Sequence, residues 1–330
     1  MYNKRTSQLT WWVDPYVVGI AITRMRSTDR VVCWMWKEEF ILFHGLHDQD
    51  LHTLYGMQKK LHARSSEYDA FRLFAWLPLD ETQIAYWRNL FVLRCHSGDQ
   101  IWYLAPYEIE DFQTLLSELE QYERQQGATR LYFYTSERDL SAFPAEYIAT
   151  DKRDLYDYLY RAQDLVTMQG RAYAAKRNQI AQFKRKYQWR FEPLTPANAD
   201  AILLLTDQWD TQHNGAMLPY ERNAIERMLH APDDFGQSGG ILFADGQPAA
   251  FAIGSHTRAS LLDVLAEKAL PQFTGAYSAI IQMYAEYAYA LHPFDFVNRE
   301  EDMGLENLRN AKLQLKPDQL IAKTLMTKRL

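Results

Sequence analysis

The stretch 239-GGILFADGQPAAFAIG-254 consists of two apolar runs on either side of the pair Asp245-Gly246. An Asp-Gly pair between two such runs is typical of a two-residue hairpin turn, because both turn positions need a positive φ angle that these residue types adopt readily. We therefore predict that residues 239–254 form a β-hairpin. We expect this hairpin to be the central antiparallel pair of its sheet.

Further elements are predicted around the hairpin. Helices are expected at Ala201–Trp209 and Arg222–Leu229, joined through Asn214-Gly215, then a strand at Leu261–Ala266, a helix at Gly275–Ala290, strands at Phe294–Val297 and Leu320–Leu325, and a helix at Leu305–Leu313. The last strands are expected to complete the sheet around that final helix. Alternating strands and helices of this kind predict an α+β arrangement.

A cationic helix is predicted before these elements. Four apolar residues lie seven, three and four positions apart: Tyr173, Ile180, Phe183 and Tyr187. This spacing predicts a helix within 165–187 that has one buried face. Gly170 is expected to kink it or to end a first helical piece.

The same segment is strongly basic in a protein whose formal net charge is -6. No acidic residue occurs between Leu165 and Phe191, and the cations are Arg171, Lys176, Arg177, Lys184, Arg185, Lys186 and Arg190. Such a face suits an anionic partner. The alternative is a solvated helix face, which is the more usual role of a charge run.

The first half of the sequence is predicted to form a second, similar unit. Its elements are a helix from Leu46 to Leu61, a hairpin of Phe91–Arg94 and Ile101–Leu104 around Ser97-Gly98-Asp99, a helix from Phe112 to Tyr122 that Gly127 ends, and a strand at Leu131–Tyr134. This order indicates a mixed sheet. The break between the halves is predicted at Ala149–Arg153, where charge interrupts the apolar pattern.

Length and composition agree with two domains. A chain of 330 residues that is 47% hydrophobic exceeds what one core usually serves. Two cysteines, Cys33 and Cys95, can form neither a disulfide framework nor a thiolate metal cluster, and the histidines show no metal-ligand spacing. Apolar runs are too short to span a membrane. We therefore expect a soluble cytoplasmic protein without a bound metal.

Acidic residues follow the predicted strand at Phe294–Val297. In the run Asn298-Arg299-Glu300-Glu301-Asp302 three consecutive acids would be costly to bury without partners. One of them could be the general base that deprotonates an attacking amine or hydroxyl. Equally, they could form an ion-pair network with Arg177, Arg309 or Lys312.

Several of these motifs resemble a known family. The pattern from Tyr156 to Tyr187, with Lys176-Arg177-Asn178, and the run Asn298–Asp302 resemble the bacterial DUF2156 domain, which is related to the C-terminal domain of phosphatidylglycerol lysyltransferases. The stretch from Ser66-Glu67-Tyr68 to Trp76 extends the resemblance to roughly residues 38 to 330. The ending Arg309-x-x-Lys312 with Lys316-Pro317 is similar as well, although Ala311 and Leu315 replace aromatic residues.

The resemblance implies a tandem of two acyl-CoA N-acyltransferase-like (GNAT-like) domains, each a mixed, largely antiparallel sheet flanked by helices. The expected division is a first domain at 35–150, which serves as a degenerate scaffold, and a second domain at 151–330 with the active cleft. Residues 1–34 find no counterpart and are expected to be an appendage or an upstream start. Helices that span a membrane, which the lysyltransferases carry, are not expected here.

The implied reaction is transfer of an aminoacyl or acyl group from an activated carrier, such as aminoacyl-tRNA, to an amine or hydroxyl by direct attack. The acceptor would be a small molecule, a peptide or a lipid met at the membrane surface. Two other functions stay open: an acetyl-CoA-dependent N-acetyltransferase, and a non-catalytic module that binds RNA or a lipid head group.

The site residues follow from these motifs. Catalytic roles are expected for Glu300, Glu301 or Asp302 as proton acceptor and for Arg309 and Lys312 in stabilising negative charge. Residues expected to hold donor or acceptor are Arg171, Tyr173, Lys176, Arg177, Asn178, Asn298, Arg299 and Lys316.

One loop suggests a cofactor. The segment from Gln272 through Gly275 and Ala276 to Tyr277 partly resembles the loop that holds the pyrophosphate of coenzyme A, with Tyr277 as a departure from it. A helix that opens at a glycine presents free amide groups that suit a phosphate. Coenzyme A or an acyl-CoA is therefore the candidate cofactor, and an ordinary structural turn is the alternative.

Overall fold

Two seven-stranded sheets form the framework of the protein. The computed structural model describes residues 41–59, 63–80, 82–88, 90–97, 100–104, 111–137, 140–213, 218–231, 235–258 and 260–330. The predicted appendage at 1–34, the domain start at residue 35, the turn residues Gly98-Asp99 and the joint at Asn214-Gly215 lie outside these ranges.

The first sheet is built mainly from the first half of the chain. Its strands are β1 (His44–Gly45), β2 (Gln83–Trp87), β3 (Leu90–Ser97), β4 (Gln100–Leu104), β5 (Arg130–Ser136) and β6 (Ile148–Asp151), and its helices are α1 (Asp48–Gln58), α2 (Ala70–Asp80) and α3 (Phe112–Gln125). Only β4 and β5 pair in parallel among its described strands. The predicted mixed sheet is thus present, with the hairpin, helices and strand at their predicted places.

The second half supplies the remaining elements. In chain order these are β7 (Asp157–Arg161), α4 (Ala162–Thr167), α5 (Ala174–Lys186), β8 (Trp189–Pro193), α6 (Ala199–Thr211), α7 (Leu218–Leu229), β9 (Gln237–Ala244), β10 (Gln247–Arg258), β11 (Leu261–Ala269), α8 (Ala276–Leu291), β12 (Phe296–Asn298), α9 (Glu306–Gln314), β13 (Gln319–Ile321) and β14 (Lys323–Arg329). Within the described ranges, each helix is too short or too polar to cross a membrane.

The predicted hairpin is β9 and β10, and its turn has the predicted geometry. Asp245 and Gly246 have φ angles of 52° and 80°, which fit a turn with two left-handed residues. The second sheet has the order β13-β7-β12-β11-β10-β9-β8, so β11 rather than the hairpin occupies its centre. The hairpin lies inside the sheet but to one side.

The last strand corrects the sequence-based assignment of the C-terminus. Residues 320–325 were expected to complete the second sheet, but only β13 does so. The chain then crosses, and β14 inserts between β5 and β6 of the first sheet. The predicted break at 149–153 is occupied by β6, an exposed strand at the edge of that sheet. The division at residue 150 stays a prediction.

The basic segment forms two helical pieces, as predicted from the position of Gly170. The first piece, α4, ends at Met168, whose φ angle is 49°, and Gly170 has a φ angle of 86°. A left-handed residue after the last turn ends a helix because the next amide then turns back. The second piece, α5, buries Ile180 and Phe183 against α8, which fixes its cationic side outward.

Candidate active site

The acidic run 298–302 begins at the last residue of β12, and its backbone is hydrogen-bonded to the neighbouring strand β7. The Arg299 amide donates to the Tyr158 carbonyl over 3.0 Å, and the Tyr158 amide donates to the Glu300 carbonyl over 3.2 Å. Glu300 has a φ angle of 53°, and its amide donates to Asn298 Oδ1 over 2.7 Å. This turn points the three acids into different surroundings.

Asp302 pairs with two arginines. Its carboxylate accepts hydrogen bonds from Arg309 Nε at 2.8 Å, Arg153 Nη1 at 3.2 Å, the Tyr158 hydroxyl at 2.6 Å and the Gly304 amide at 2.9 Å. Burial alone would raise the pKa of Asp302, but the bonds from Arg309, Tyr158 and Gly304 outweigh it and hold that pKa well below its usual range. Asp302 and Arg309 therefore form the ion pair that joins the turn to α9.

Glu300 lies in a different environment from Asp302. Its Oε1 accepts from Arg72 Nε of α2 over 3.0 Å. Burial raises the pKa of Glu300 to about 8, with the neighbouring Glu301 charge adding to the effect and the Arg72 charge opposing it. A carboxyl with such a pKa exchanges its proton near neutral pH, which is what a general base needs.

Lys312 belongs to α9 and connects this helix to the turn. Its buried ammonium donates to the Arg299 carbonyl and, over 3.1 Å, to the Glu300 carbonyl. Burial and the adjacent Arg299 charge lower the pKa of Lys312 to about 8. Glu300 and Lys312 are thus two interacting groups that titrate in the same range.

A buried ion-pair network lies beside the turn, and sequence reasoning missed it. Asp157 accepts from Lys323 Nζ at 2.6 Å, Asn298 Nδ2 at 3.0 Å and the Ser66 amide at 2.8 Å. Burial would raise the pKa of Asp157, but Lys323, Asn298 and Ser66 lower it on balance. Lys323 also pairs with Glu67, so the network ties β7, β14 and the residues before α2 together.

A gap separates the two parallel strands next to this network. Pairing between β11 and β12 stops at Asp263 and Asn298, because the chain after Asn298 stays on β7 while β11 runs on to Ala269. Glu267 and Arg299 bridge the gap with Oε2 and Nη2 2.8 Å apart.

Other polar groups surround this bridge. Arg299 Nη2 also donates to the Tyr277 hydroxyl over 3.0 Å, and Lys176 of α5 interacts electrostatically with Arg299 and Glu267. Burial, together with the Arg299 charge, lowers the pKa of Lys176. Burial raises the pKa of Glu267 although the Arg299 charge opposes this. Glu267 and Arg299 therefore form a buried ion pair beyond the point where β11 and β12 stop pairing.

The predicted anion-binding residues have several roles. Arg177 donates to the carbonyls of Met168 and Gly170 and so caps α4, and the buried Tyr173 hydroxyl donates to the Leu315 carbonyl over 2.8 Å. Arg171, Asn178 and Lys316 are exposed and have no hydrogen bond or ion pair to the acidic turn within the described chain. Arg185 and Lys186 line an open depression with Gln182 and Thr274.

The loop predicted to hold coenzyme A is anchored on α5 and on Tyr187. A Cβ on Gly275 would lie 2.4 Å from the Gln179 carbonyl, so this backbone packs directly on α5. The Thr274 amide donates to the Tyr187 hydroxyl over 3.3 Å, the Ala276 amide donates to the Phe273 carbonyl over 3.0 Å, and the Gln272 carbonyl accepts from Tyr187. Binding of coenzyme A by this loop stays a prediction.

The structure brings together part of the predicted site. Asn298, Arg299, Glu300, Glu301 and Lys312 lie in one region, with Lys176 and Tyr277 at the adjoining gap. Sequence reasoning missed four charged residues of this region: Arg72, Asp157, Glu267 and Lys323. A possible signal was Glu267-Lys268, two charges inside the otherwise apolar strand β11.

Comparison with known proteins gives consistent results. The family model described as phosphatidylglycerol lysyltransferase, C-terminal, matches residues 59–326. Comparison with curated proteins finds no match.

Solved structures share the fold. A conserved protein of unknown function from Bacteroides thetaiotaomicron is 28% identical, with a TM-score of 0.81 over 88% of this chain and 100% of the other. The C-terminal domain (DUF2156) of a protein assigned as a lysylphosphatidylglycerol synthetase from Agrobacterium fabrum is 14% identical, with a TM-score of 0.62 over 86% and 92%. FemX is 9% identical, with a TM-score of 0.55 over 88% and 98%. The expected tandem GNAT-like fold is confirmed.

Proposed function

The chain belongs to the family of the phosphatidylglycerol lysyltransferase C-terminal domain, and from this premise we propose that it is an aminoacyltransferase. It transfers an aminoacyl group from an activated carrier, aminoacyl-tRNA, to an amine or hydroxyl acceptor. The observation that carries the proposal is the place of Glu300, just after the point where β11 and β12 stop pairing, with Arg72 and Lys312 as its cationic neighbours. Burial raises its pKa to about 8.

The proposed reaction needs only one proton acceptor. The acceptor nitrogen or oxygen attacks the ester carbon of the donor, its proton passes to Glu300, and the bond from that carbon to the ribose oxygen breaks. Glu300 then returns the proton to the ribose oxygen, so that atoms and charge balance. No covalent enzyme intermediate is required.

Cations around Glu300 support this chemistry. Lys312, which is fixed by two backbone carbonyls, places positive charge next to the turn and stabilises the oxyanion that forms at the ester carbon. Arg72 holds Glu300 from the first half of the chain. Arg309 is committed to Asp302 and Asp154, so its role is to keep the turn in shape.

The cationic side of α5 supports a nucleic-acid carrier. Arg185 and Lys186 on α5 and Arg171 just before it are exposed, and phosphates are attracted to such a surface with a strong dependence on salt.

A transfer assay tests the proposal. Bulk tRNA is charged with radiolabelled amino acids, and release of label is followed under single-turnover conditions with phosphatidylglycerol vesicles or a panel of amines. We expect release by the wild type and a rate at least about 100-fold lower for Glu300→Gln, the usual size of a lost general base. Glu306→Gln, an exposed acid at the start of α9, is the matched control and keeps the wild-type rate.

Two results would contradict the proposal. Transfer from radiolabelled acetyl-CoA with no effect on charged tRNA would identify an acyl-CoA enzyme. Binding of tRNA without release, unchanged in Glu300→Gln, would identify a binding module.

The pH dependence adds a second test. The rate should rise with pH toward about 8 as Glu300 loses its proton, and fall above about 8 as Lys312 loses its charge; their pKa values are set first by burial. In Glu300→Gln the acidic limb should disappear.

A further inference from the structure

The strand β6 forms an open edge of the first sheet. It pairs with β14 on one side, and within the described chain no strand pairs with it on the other side. All four of its residues are exposed, and Ile148 is 70% exposed. An open strand edge presents backbone amides and carbonyls to which another strand can add. The register of β6 and its side chains determine which strand fits there.

The register of β6 on β14 shows which backbone groups point outward. The Lys152 amide, just after β6, donates to the Lys323 carbonyl of β14 over 3.0 Å. Hydrogen-bonded and non-hydrogen-bonded pairs alternate along an antiparallel ladder, so every second residue back from Lys152 faces β14. Ala149 and Asp151 occupy the positions between. Their amide and carbonyl groups are therefore directed away from the sheet.

We propose that β6 pairs antiparallel with β6 of a second copy of this chain, with Ala149 opposite the partner's Ala149 on a two-fold axis. Each Ala149 amide then donates to the carbonyl of the other, as opposite residues of a hydrogen-bonded pair do. A two-fold contact of this kind uses the same surface on both copies. Centring the pair on Asp151, the other residue that faces outward, would place two like charges directly opposite each other, which is unfavourable.

The side chains around Ala149 are complementary to themselves in this register. Glu146, three residues before Ala149, comes level with the partner's Lys152, three residues after it, and symmetry repeats the contact. Glu146 is exposed and Lys152 half-buried, and neither has an ion pair within the described chain. Ile148 lies opposite the partner's Thr150, and cross-strand pairs of β-branched residues stabilise a sheet. Charge and shape therefore both favour a second copy as the partner.

The size of the contact sets the kind of dimer that is expected. A four-residue strand with its flanking residues buries less than the roughly 1,600 Å² of a standard protein interface. We therefore expect a dimer that dissociates on dilution. The residues of this contact lie on the first sheet and have no part in the proposed aminoacyl transfer, so the dimer and the transfer reaction are tested independently.

Sedimentation velocity of the full chain over a wide range of concentrations tests the dimer. The mass of the wild type should rise from monomer to dimer with concentration. Glu146→Lys and Lys152→Glu each place like charges at both symmetric contacts, so each should weaken the dimer about 3- to 10-fold. An equimolar mixture of these two variants restores both ion pairs, and a heterodimer of wild-type affinity should form. Glu306→Lys, at an exposed position on α9, is the control and should leave the dimer unchanged.

A backbone variant tests the same contact without a change of charge. Ala149→Pro removes the outward amide that each copy donates, and proline is tolerated on an edge strand where the amide faces solvent. We expect this variant to keep the wild-type circular dichroism and to stay monomeric at all concentrations.

Three results would overturn the proposal. They are a wild type that stays monomeric throughout, a dimer that persists in folded Ala149→Pro, and a mixture of Glu146→Lys and Lys152→Glu that associates no better than either variant alone. If Ala149→Pro does not fold, the mixture of the two charge variants decides, because restored association requires Glu146 and Lys152 to meet across the two-fold axis.

Discussion

Asp157 on β7 and Glu267 on β11 are both buried carboxylates in the second sheet, and each faces a buried cation. Asp157 accepts hydrogen bonds from Lys323, Asn298, Ser65 and Ser66, so that both of its oxygens are used. Glu267 has Arg299 as its partner, and its Oε1 has no hydrogen bond to the part of the chain that the structure describes. The difference teaches that burial alone does not mark a site. A carboxylate whose oxygens are all satisfied stabilises the fold, whereas an unmet oxygen on a buried carboxylate calls for an explanation.

The largest effect is expected from breaking the satisfied network. Lys323→Met leaves the carboxylates of Asp157 and Glu67 buried without their cation, so we expect a loss of about 3–5 kcal/mol in the free energy of unfolding. Urea denaturation measures it. Lys328→Met, on the same strand but paired with the partly exposed Glu120, should cost about 1 kcal/mol or less. Equal losses for both variants would show that the network is not a structural centre.

Asp302 provides a prediction that depends on pH. Its pKa is depressed on folding because hydrogen bonds from Arg309, Tyr158 and Gly304 outweigh the effect of burial. A depressed carboxyl stabilises the fold above its unfolded pKa of about 4 and loses that contribution as pH falls. Asp302→Asn should therefore cost about 1.5–3 kcal/mol at pH 7, as expected for hydrogen bonds to a charged group, and less near pH 3.

Urea curves of both proteins between pH 3 and 7 measure this difference. A gap between wild type and Asp302→Asn that stays constant over the whole range would contradict the assignment of Asp302 as a structural ion pair. Asp295→Asn is the matched control, since its exposed side chain follows α8 and makes no ion pair within the described chain.

Much of the fold could be predicted because its signals are local. The hairpin at Asp245-Gly246, the break at Gly170 and the cationic helix depend on residues within a few positions of each other. The place of β14 could not be predicted, since a strand at 323–329 fits either sheet by pattern and its partners on β5 lie almost 200 residues earlier.

The candidate site was predictable only in part for the same reason. The acidic run pointed to the turn where these charged side chains meet, but the surroundings of its members depend on distant cations. Arg153 and Arg309 occupy Asp302, while Arg72 alone donates a hydrogen bond to the Glu300 carboxylate within the described chain. Glu267 was hidden in an apolar strand, because its partner Arg299 comes 32 residues later.

The contribution of Glu300 to the free energy of unfolding should change with pH in the opposite direction from that of Asp302. Burial, then the Glu301 charge, raises its pKa to about 8 against the Arg72 charge. A raised carboxyl favours the folded state at pH below its unfolded pKa, and this contribution is lost as pH rises toward 8. Glu300→Gln keeps an acceptor for Arg72 and should therefore stabilise the fold by about 0.5–2 kcal/mol at pH 8, the gain often seen at functional sites. Destabilisation by this variant at pH 8, measured in urea, would place Glu300 with the structural acids.

The smallest effects on stability and binding are expected on the surface. There α5 carries one arginine with protein partners, Arg177, and one without, Arg185, within the described chain. Arg177 is bonded to the carbonyls of Met168 and Gly170, and Arg185 has no hydrogen bond or ion pair within the described chain. Arg185→Ala should weaken tRNA binding several-fold and reduce the salt slope by about 0.7–0.9, the contribution of one phosphate contact, without changing the unfolding midpoint. Arg177→Ala should instead cost about 1 kcal/mol of stability through the lost helix cap.

Fluorescence anisotropy with labelled bulk tRNA at 50 to 200 mM salt, about the range over which phosphate contacts dominate, measures the slope. The matched control is Arg124→Ala, an exposed cation at the end of α3 in the first half. If Arg124→Ala and Arg185→Ala change the slope equally, the attraction is a general property of the surface. A change confined to Arg185 would place the nucleic acid on α5.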